Sequence, residues 1–140
     1  MSHHTEDLAS LVTNVLDATW NSHDVDRVMD LYADDAVFIV TPAPPGFPPV
    51  SRGKEEIRRL VEALIPGFNA RSYNFRNAGE SETWESTLDA DFFTQAGIGP
   101  ATCTTKAVIQ DGKVKTFDVT FSPETVAKLE AVLQSMAGAQ

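Results

Sequence analysis

Apolar residues recur at spacings of three and four in some stretches of the chain and at every second position in others, and the change of period lays out the elements. Leu8, Leu11, Val12, Val15, Leu16 and Thr19 predict an amphipathic helix from Thr5 to about Asn21, closed by Trp20. Asp24 then stands where an N-cap belongs, ahead of Val25, Val28, Leu31 and Tyr32, which predicts a second helix from Asp24 to Ala33. Asp34 and Asp35 stop it, and the unbroken β-prone run Ala36 to Val40 predicts a strand covered on both faces.

Five prolines between Thr41 and Arg52 remove donors and fix the backbone, so a stiff loop is expected there. Ile57, Leu60, Val61 and Leu64 restore the helical period over Gly53 to Ile65, and Pro66-Gly67 ends it. From Ala70 the period becomes two. Strands are expected at Arg71 to Arg76, Ser81 to Thr94, Ala101 to Gln110 and Lys113 to Phe121, with turns at Asn77 to Gly79, Ala96 to Pro100 and Asp111-Gly112. That order implies an antiparallel meander. Ser122-Pro123-Glu124 supplies an N-cap, a first-turn proline and a first-turn carboxylate, which predicts a closing amphipathic helix to Met136.

A chain of 140 residues fits one domain over 1–140, able to bury about two-thirds of the surface its unfolded form exposes. The net charge of -9 argues against nucleic acid as a partner. The basic residues Arg52, Lys54, Arg58 and Arg59 are interleaved with Glu55, Glu56 and Glu62, as on a solvated helix face. No apolar run reaches the roughly 20 residues needed to span a bilayer, and the first ten residues lack the basic and apolar regions of a signal peptide, so no membrane association and a cytoplasmic location are expected. Cys103 is the lone cysteine and lies in a β-prone run, where a small buried side chain is expected rather than a nucleophile. His3 and His4 lie at the terminus, and His23 falls in the first interhelical turn, where a hydrogen-bonded structural role is expected rather than catalysis. Outside the strand that carries Glu85, Asp89 and Asp91 no carboxylate or histidine cluster at metal-ligand spacing occurs, and zinc or iron sites usually want imidazole or thiolate; with no phosphate-cradling glycine loop and no dinucleotide fingerprint, no metal and no cofactor are expected.

The order helix, helix, strand, helix and four antiparallel strands, with NSHDVDRVMDLYADDAVF and the RGKEEI that opens the third helix, resembles the nuclear transport factor two-like superfamily and, within it, the SnoaL-like proteins. The resemblance spans about Glu6 to Phe121. It implies an α+β fold in which a cone-shaped, strongly curved antiparallel sheet wraps around the N-terminal helices and encloses a cavity; the helix after Phe121 is an addition. The superfamily holds isomerases, cyclases, epoxide hydrolases, dehydratases and non-catalytic adaptors, and its outer sheet face often makes dimers.

Positions carried over from two of its enzyme types mostly lose their chemistry. Against ketosteroid isomerases, the general-base aspartate falls on Val40, the oxyanion-hole tyrosine on Leu16 and the acidic partner near Lys106. Against limonene epoxide hydrolases, the three water-holding residues fall on Phe38, Val40 and Val119 and the arginine on Thr87; only the aspartate is matched, by Asp89. The resemblance therefore implies Asp89 as the catalytic base. Lys106 would pair with it or donate to an oxyanion, Thr87, Thr102 and Thr104 would orient a substrate or water, and the like charge of Asp91 and the apolar Trp20, Val40, Phe117, Val119 and Phe121 would surround it.

All this depends on which face of the sheet is inside. Glu85, Thr87, Asp89 and Asp91 alternate with Trp84, Leu88, Ala90 and Phe92; Thr102, Thr104 and Lys106 alternate with Ala101, Cys103, Ala107 and Ile109. Either the apolar set faces the core and the polar set faces water, or the polar set lines the cavity and the apolar set meets a second subunit. The carried-over positions favour the second arrangement, and with it a homodimer through the outer sheet face.

Two functions fit. One is a cofactor-independent enzyme that isomerises, cyclises or opens the epoxide of a hydrophobic polyketide, terpenoid or steroid-like molecule by acid-base chemistry. The other is a non-catalytic dimeric binding module of the same fold. A carboxylate desolvated in an apolar pocket separates them, because an ordinary surface carboxylate is a poor base for weakly acidic carbon.

Overall fold

The computed structural model describes residues 15–44 and 46–138. The part of the first expected helix that precedes residue 15, with His3 and His4, lies outside the described residues. Helix α1 occupies 15–21, with Leu16, Thr19 and Trp20 buried. His23 follows with φ 62°, and its Nε2 lies 2.7 Å from the Phe68 carbonyl, a hydrogen-bonded position in the turn. Asp24 caps α2 (Val25–Met29) by accepting from the Arg27 N–H at 3.3 Å.

Helix α2 is shorter than its apolar spacing implied. Strand β1 (Tyr32–Thr41) begins where the helix was expected to continue, because Leu31 accepts from the Val114 N–H at 2.8 Å and Tyr32 pairs with Val114. A register shift between Tyr32 and Val37 absorbs the two exposed aspartates, so sheet pairing overrides a marginal helical preference. The proline-rich stretch is not all loop. It ends in strand β2 (Val50–Arg52), antiparallel to β1 and at the sheet edge, where prolines just before it cost no ladder bond. Gly53, at φ +80°, turns directly into α3 (Gly53–Leu64), which buries Ile57, Leu60 and Val61. On its outer side Arg58 pairs with Asp26, and Arg59 with Glu55 at 2.7 Å, the solvated face expected of that cluster.

Strands β3 (Asn69–Ala78), β4 (Ser81–Asp89), β5 (Ala101–Gln110) and β6 (Lys113–Phe121) form the antiparallel meander, in a sheet ordered β2-β1-β6-β5-β4-β3. One pair, β1 with β6, is parallel. The second long strand stops at Asp89 rather than Thr94, since its partner β3 begins at Asn69, opposite Asp89. The chain then forms helix α4 (Asp91–Ala96), which puts Phe93 into the core against Phe121, with ring centroids 6.2 Å apart. Gly67 makes this possible. It sits at φ +67° while the Asp91 N–H bonds the Pro66 carbonyl at 2.9 Å, and a Cβ on Gly67 would stand 2.2 Å from the Asp91 carboxylate. Gly67→Ala should therefore lose about 1–2 kcal/mol in urea denaturation, with the added methyl and the left-handed backbone acting together; an unchanged midpoint would mean that α4 is not held there.

The sheet settles the question of faces against the arrangement that the carried-over positions favoured. Trp84 is 2% exposed, and Ala101, Cys103, Ala107 and Ile109 are buried with it, while Thr104, Lys106 and Asp89 are exposed. The apolar set turns inward because α1 and α3 offer apolar faces for it to cover, while water on the outer side solvates the threonine, lysine and aspartate side chains. Trp84 packs on Phe117 at 5.9 Å, and Phe117 on Phe38 at 4.8 Å. The apolar outer patch on which a homodimer was expected is thus part of the core.

Helix α5 (Pro123–Gly138) starts from Ser122, whose Oγ accepts from the Thr125 N–H at 3.3 Å. Thr125 Oγ1 accepts in turn from the Thr102 N–H at 2.9 Å, which docks the helix on the start of β5, with Leu129 buried and Leu133 half exposed.

Candidate functional site

A cavity of about 70 Å³ lies between the concave face of the sheet, helices α1, α3 and α4, and the proline-rich loop. Its wall is almost wholly apolar. Trp20, Val40, Phe117, Val119 and Phe121, all expected to surround a ligand, do line it. Trp20 is fixed twice: its ring packs on Phe68 at 4.7 Å, and its Nε1–H donates to the buried Tyr32 hydroxyl at 3.3 Å. Among the described residues none of α5 is on this wall.

Three of the polar residues on it converge. Asp17 of α1 accepts from the Ser72 N–H through Oδ2 and from the Ser72 hydroxyl through Oδ1, each at 2.7 Å, and Ser72 Oγ lies 2.8 Å from Ser86 Oγ. All three residues line the cavity, and Asp17 is its one carboxylate among the described residues. The placement follows from local structure. Strand β3 is a sheet edge, with unpaired backbone groups at alternate residues. Asp17 and Asn21, four apart on one face of α1, meet that edge two residues apart, Asn21 bonding both the N–H of Ala70 at 2.7 Å and its carbonyl at 2.9 Å. The helix takes the place of a seventh strand. Burial raises the Asp17 pKa above the ordinary 3.8, and the two bonds from Ser72 offset part of that rise. A carboxylate that is costly to ionise yet reachable from the cavity can take a proton from carbon and return it.

The expected catalytic pair is elsewhere. Asp89 ends β4 opposite Asn69, exposed on the outer side, and Lys106 lies across from Thr83 and Asp118, so the two are not brought together. Thr87 stands opposite Arg71 and Thr102 on the outer face. Thr102 is engaged by Ser122 at 2.5 Å, Thr104 is exposed, and Asp91 abuts Gly67 outside the cavity. Asp17 went unnoticed because it sits beside the apolar stripe of α1 rather than in an acidic cluster. One signal pointed to it: Asp17 is three residues from Trp20 and four from Asn21, hence on the face that α1 turns toward the sheet.

Cys103 also lines the cavity, 4.0 Å from the Thr105 hydroxyl, and burial pushes its thiol up to about 11, so it is the inert small side chain expected. Glu82, 1% exposed opposite Ala107, is buried on the inner face but does not line the cavity. Among the described residues no three His, Cys, Asp or Glu side chains are placed to share a metal ion, and no helix is long and apolar enough to cross a membrane.

A curved, unclosed six-stranded sheet folded over helices, with an apolar cavity in its concave side, is the architecture of the nuclear transport factor two-like superfamily. Residues 12–85 match the family model for the SnoaL-like domain, and the chain belongs to that family. Solved structures agree on the fold. A SnoaL-like protein of unknown function from Burkholderia thailandensis is 18% identical, with a TM-score of 0.67 over 84% of this chain and 98% of that one. A protein described as a polyketide cyclase from Sinorhizobium meliloti is 19% identical, with a TM-score of 0.62 over 77% and 92%. A protein described as a ketosteroid isomerase from Kribbella flavida is 13% identical, with a TM-score of 0.63 over 83% and 78%. No curated protein matches the chain.

Proposed function

We propose that this protein is a cofactor-independent enzyme that moves a proton at carbon in a hydrophobic small molecule, with Asp17 as the general base and then the general acid. The observation that carries this is the position of Asp17, the carboxylate on an otherwise apolar wall, with its pKa raised by burial. In its ionised form Asp17 would accept a proton from the carbon next to a substrate carbonyl. Returning that proton to another carbon completes an isomerisation, and attack by the carbanion on a second carbonyl carbon, whose oxygen then takes the proton from Asp17, completes a cyclisation. Ser72 donates its one hydroxyl proton to the carboxylate and holds the base in position, and Ser86, 2.8 Å from Ser72 Oγ, could turn its hydroxyl from that oxygen to the developing enolate oxygen. Epoxide opening would use the same carboxylate to activate a water.

The base role thus moves from Asp89 to Asp17. The polyketide cyclase and ketosteroid isomerase among the structural relatives are consistent with carbonyl substrates of this kind. The alternative, a binding module, keeps the cavity without the chemistry. Deuterium exchange into the α-carbon of 2-butanone in heavy water, followed by proton NMR, separates the two. An enzyme of this kind should exceed the buffer rate; exchange at the buffer rate together with saturable ketone binding would leave the module.

A further inference from the structure

The cavity is small for the substrates its family suggests. Sites for drug-sized ligands occupy about 300–1,000 Å³, against about 70 Å³ here. Directly outside it, however, lies a groove of about 560 Å³ bounded by the proline-rich loop, α3 and α4. Phe47 and Leu60 line both spaces, so one partition separates them. Phe47 is the half of that partition that the loop supplies. It hangs from an exposed loop, bonded through its N–H to the Pro44 carbonyl at 3.0 Å and stacked edge-on against Phe92 at 4.5 Å, next to Gly46, whose surroundings are open. Leu60 is fixed in the middle of α3.

The groove also holds an unexplained polar group. Ser51 is 1% exposed and lines the groove, yet its hydroxyl has no hydrogen-bond partner among the described residues. A hydroxyl withdrawn from water normally has a partner, and one without is a place where a missing ligand or water belongs. Strand β2 holds it there by pairing Ser51 with Phe38, a residue of the cavity wall.

We infer that cavity and groove are two halves of one site for an elongated amphipathic molecule, its compact apolar end beside Trp20 and Trp84 and a hydroxyl or carbonyl oxygen in the groove on Ser51, with Phe47 swinging aside to join them. Phe47 then sets the length of ligand accepted, and Ser51 sets where along it an oxygen must fall. This rests on the cavity being the ligand site, as proposed above, but not on the chemistry of Asp17.

The probe is a series of 1-alkanols from butanol to decanol. Both tryptophans of the chain line the cavity, so intrinsic fluorescence reports its occupancy. In the parent protein affinity should keep rising through the series, by up to about fourfold per methylene buried. Ser51→Ala should weaken octanol and decanol about fivefold while moving butanol less than twofold. Phe47→Trp should end the rise earlier in the series, and Phe47→Ala should speed association of the long alcohols. Affinity that levels off at the short alcohols in the parent protein, or a Ser51→Ala effect independent of length, would overturn the two-part site and leave the cavity as a ligand site. If no alcohol of any length changes the fluorescence, the cavity is not a ligand site, and both proposals fall.

Discussion

Asp17→Asn should lower proton exchange at carbon by about 10²- to 10⁴-fold, the usual contribution of a positioned general base. The amide keeps an oxygen that can accept from the Ser72 N–H and nearly the same volume, so α1 stays docked to the β3 edge and ligand binding stays within about twofold. A loss of turnover without a loss of binding is therefore the expected signature, read by α-deuterium exchange and tryptophan fluorescence in the same preparation. Stability adds a second check, with a definite sign. Because burial raises the Asp17 pKa above 3.8, the folded state favours the protonated carboxyl. The stability this confers is fully present below 3.8 and is lost as pH rises through the raised value. The asparagine variant has no such loss, so its stability relative to the parent should grow between acid and neutral pH. Equal exchange rates in parent and variant would remove Asp17 as the base.

Trp84→Ala should cost about 3–5 kcal/mol in guanidinium denaturation, since it deletes a ring buried between Phe75 and Phe117 and enlarges the cavity it lines. Thr104→Ala, on the neighbouring strand but exposed on the opposite face, should stay within about 0.5 kcal/mol. The pair tests which face of the sheet is inside. A near-neutral tryptophan substitution with a costly threonine one would restore the inverted arrangement and place Asp89 and Lys106 in the cavity.

The contrast between these two positions also shows how far the chain could be read without coordinates. Alternation along Trp84 to Leu88 and along Ala101 to Ile109 marks two faces but says nothing of what covers each, because a period of two is the same viewed from either side. The plain expectation, apolar inward, is what α1 and α3 enforce; transferring single positions from distant enzymes pointed the other way, since alignment by pattern can slip a strand by one residue and exchange its faces. The meander, its Asp111-Gly112 turn, α3 and the start of α5 follow from strong local signals that tertiary contacts reinforce. Strand β2 and the ends of α2 and β4 do not, because each is decided by a partner distant in sequence: β1 for Val50–Arg52, Val114 for Tyr32, and Asn69, where β3 begins, for Asp89. Asp17 belongs to the same class. Its chemistry comes from the desolvation and the two serines that folding brings to it, and a lone aspartate on a helix carries no mark of either.

The most direct measurement is a pH titration of the side-chain carboxyl carbons by carbon-13 NMR, with and without 2-butanone. The Asp17 resonance should titrate with a midpoint above 3.8 and shift on saturation with the ketone, while the Asp89 resonance, outside the cavity, should not respond to the ketone. An Asp17 midpoint at or below 3.8, with a ketone response at Asp89 instead, would contradict the assignment of the inner cavity and its helix α1 carboxylate as the functional site.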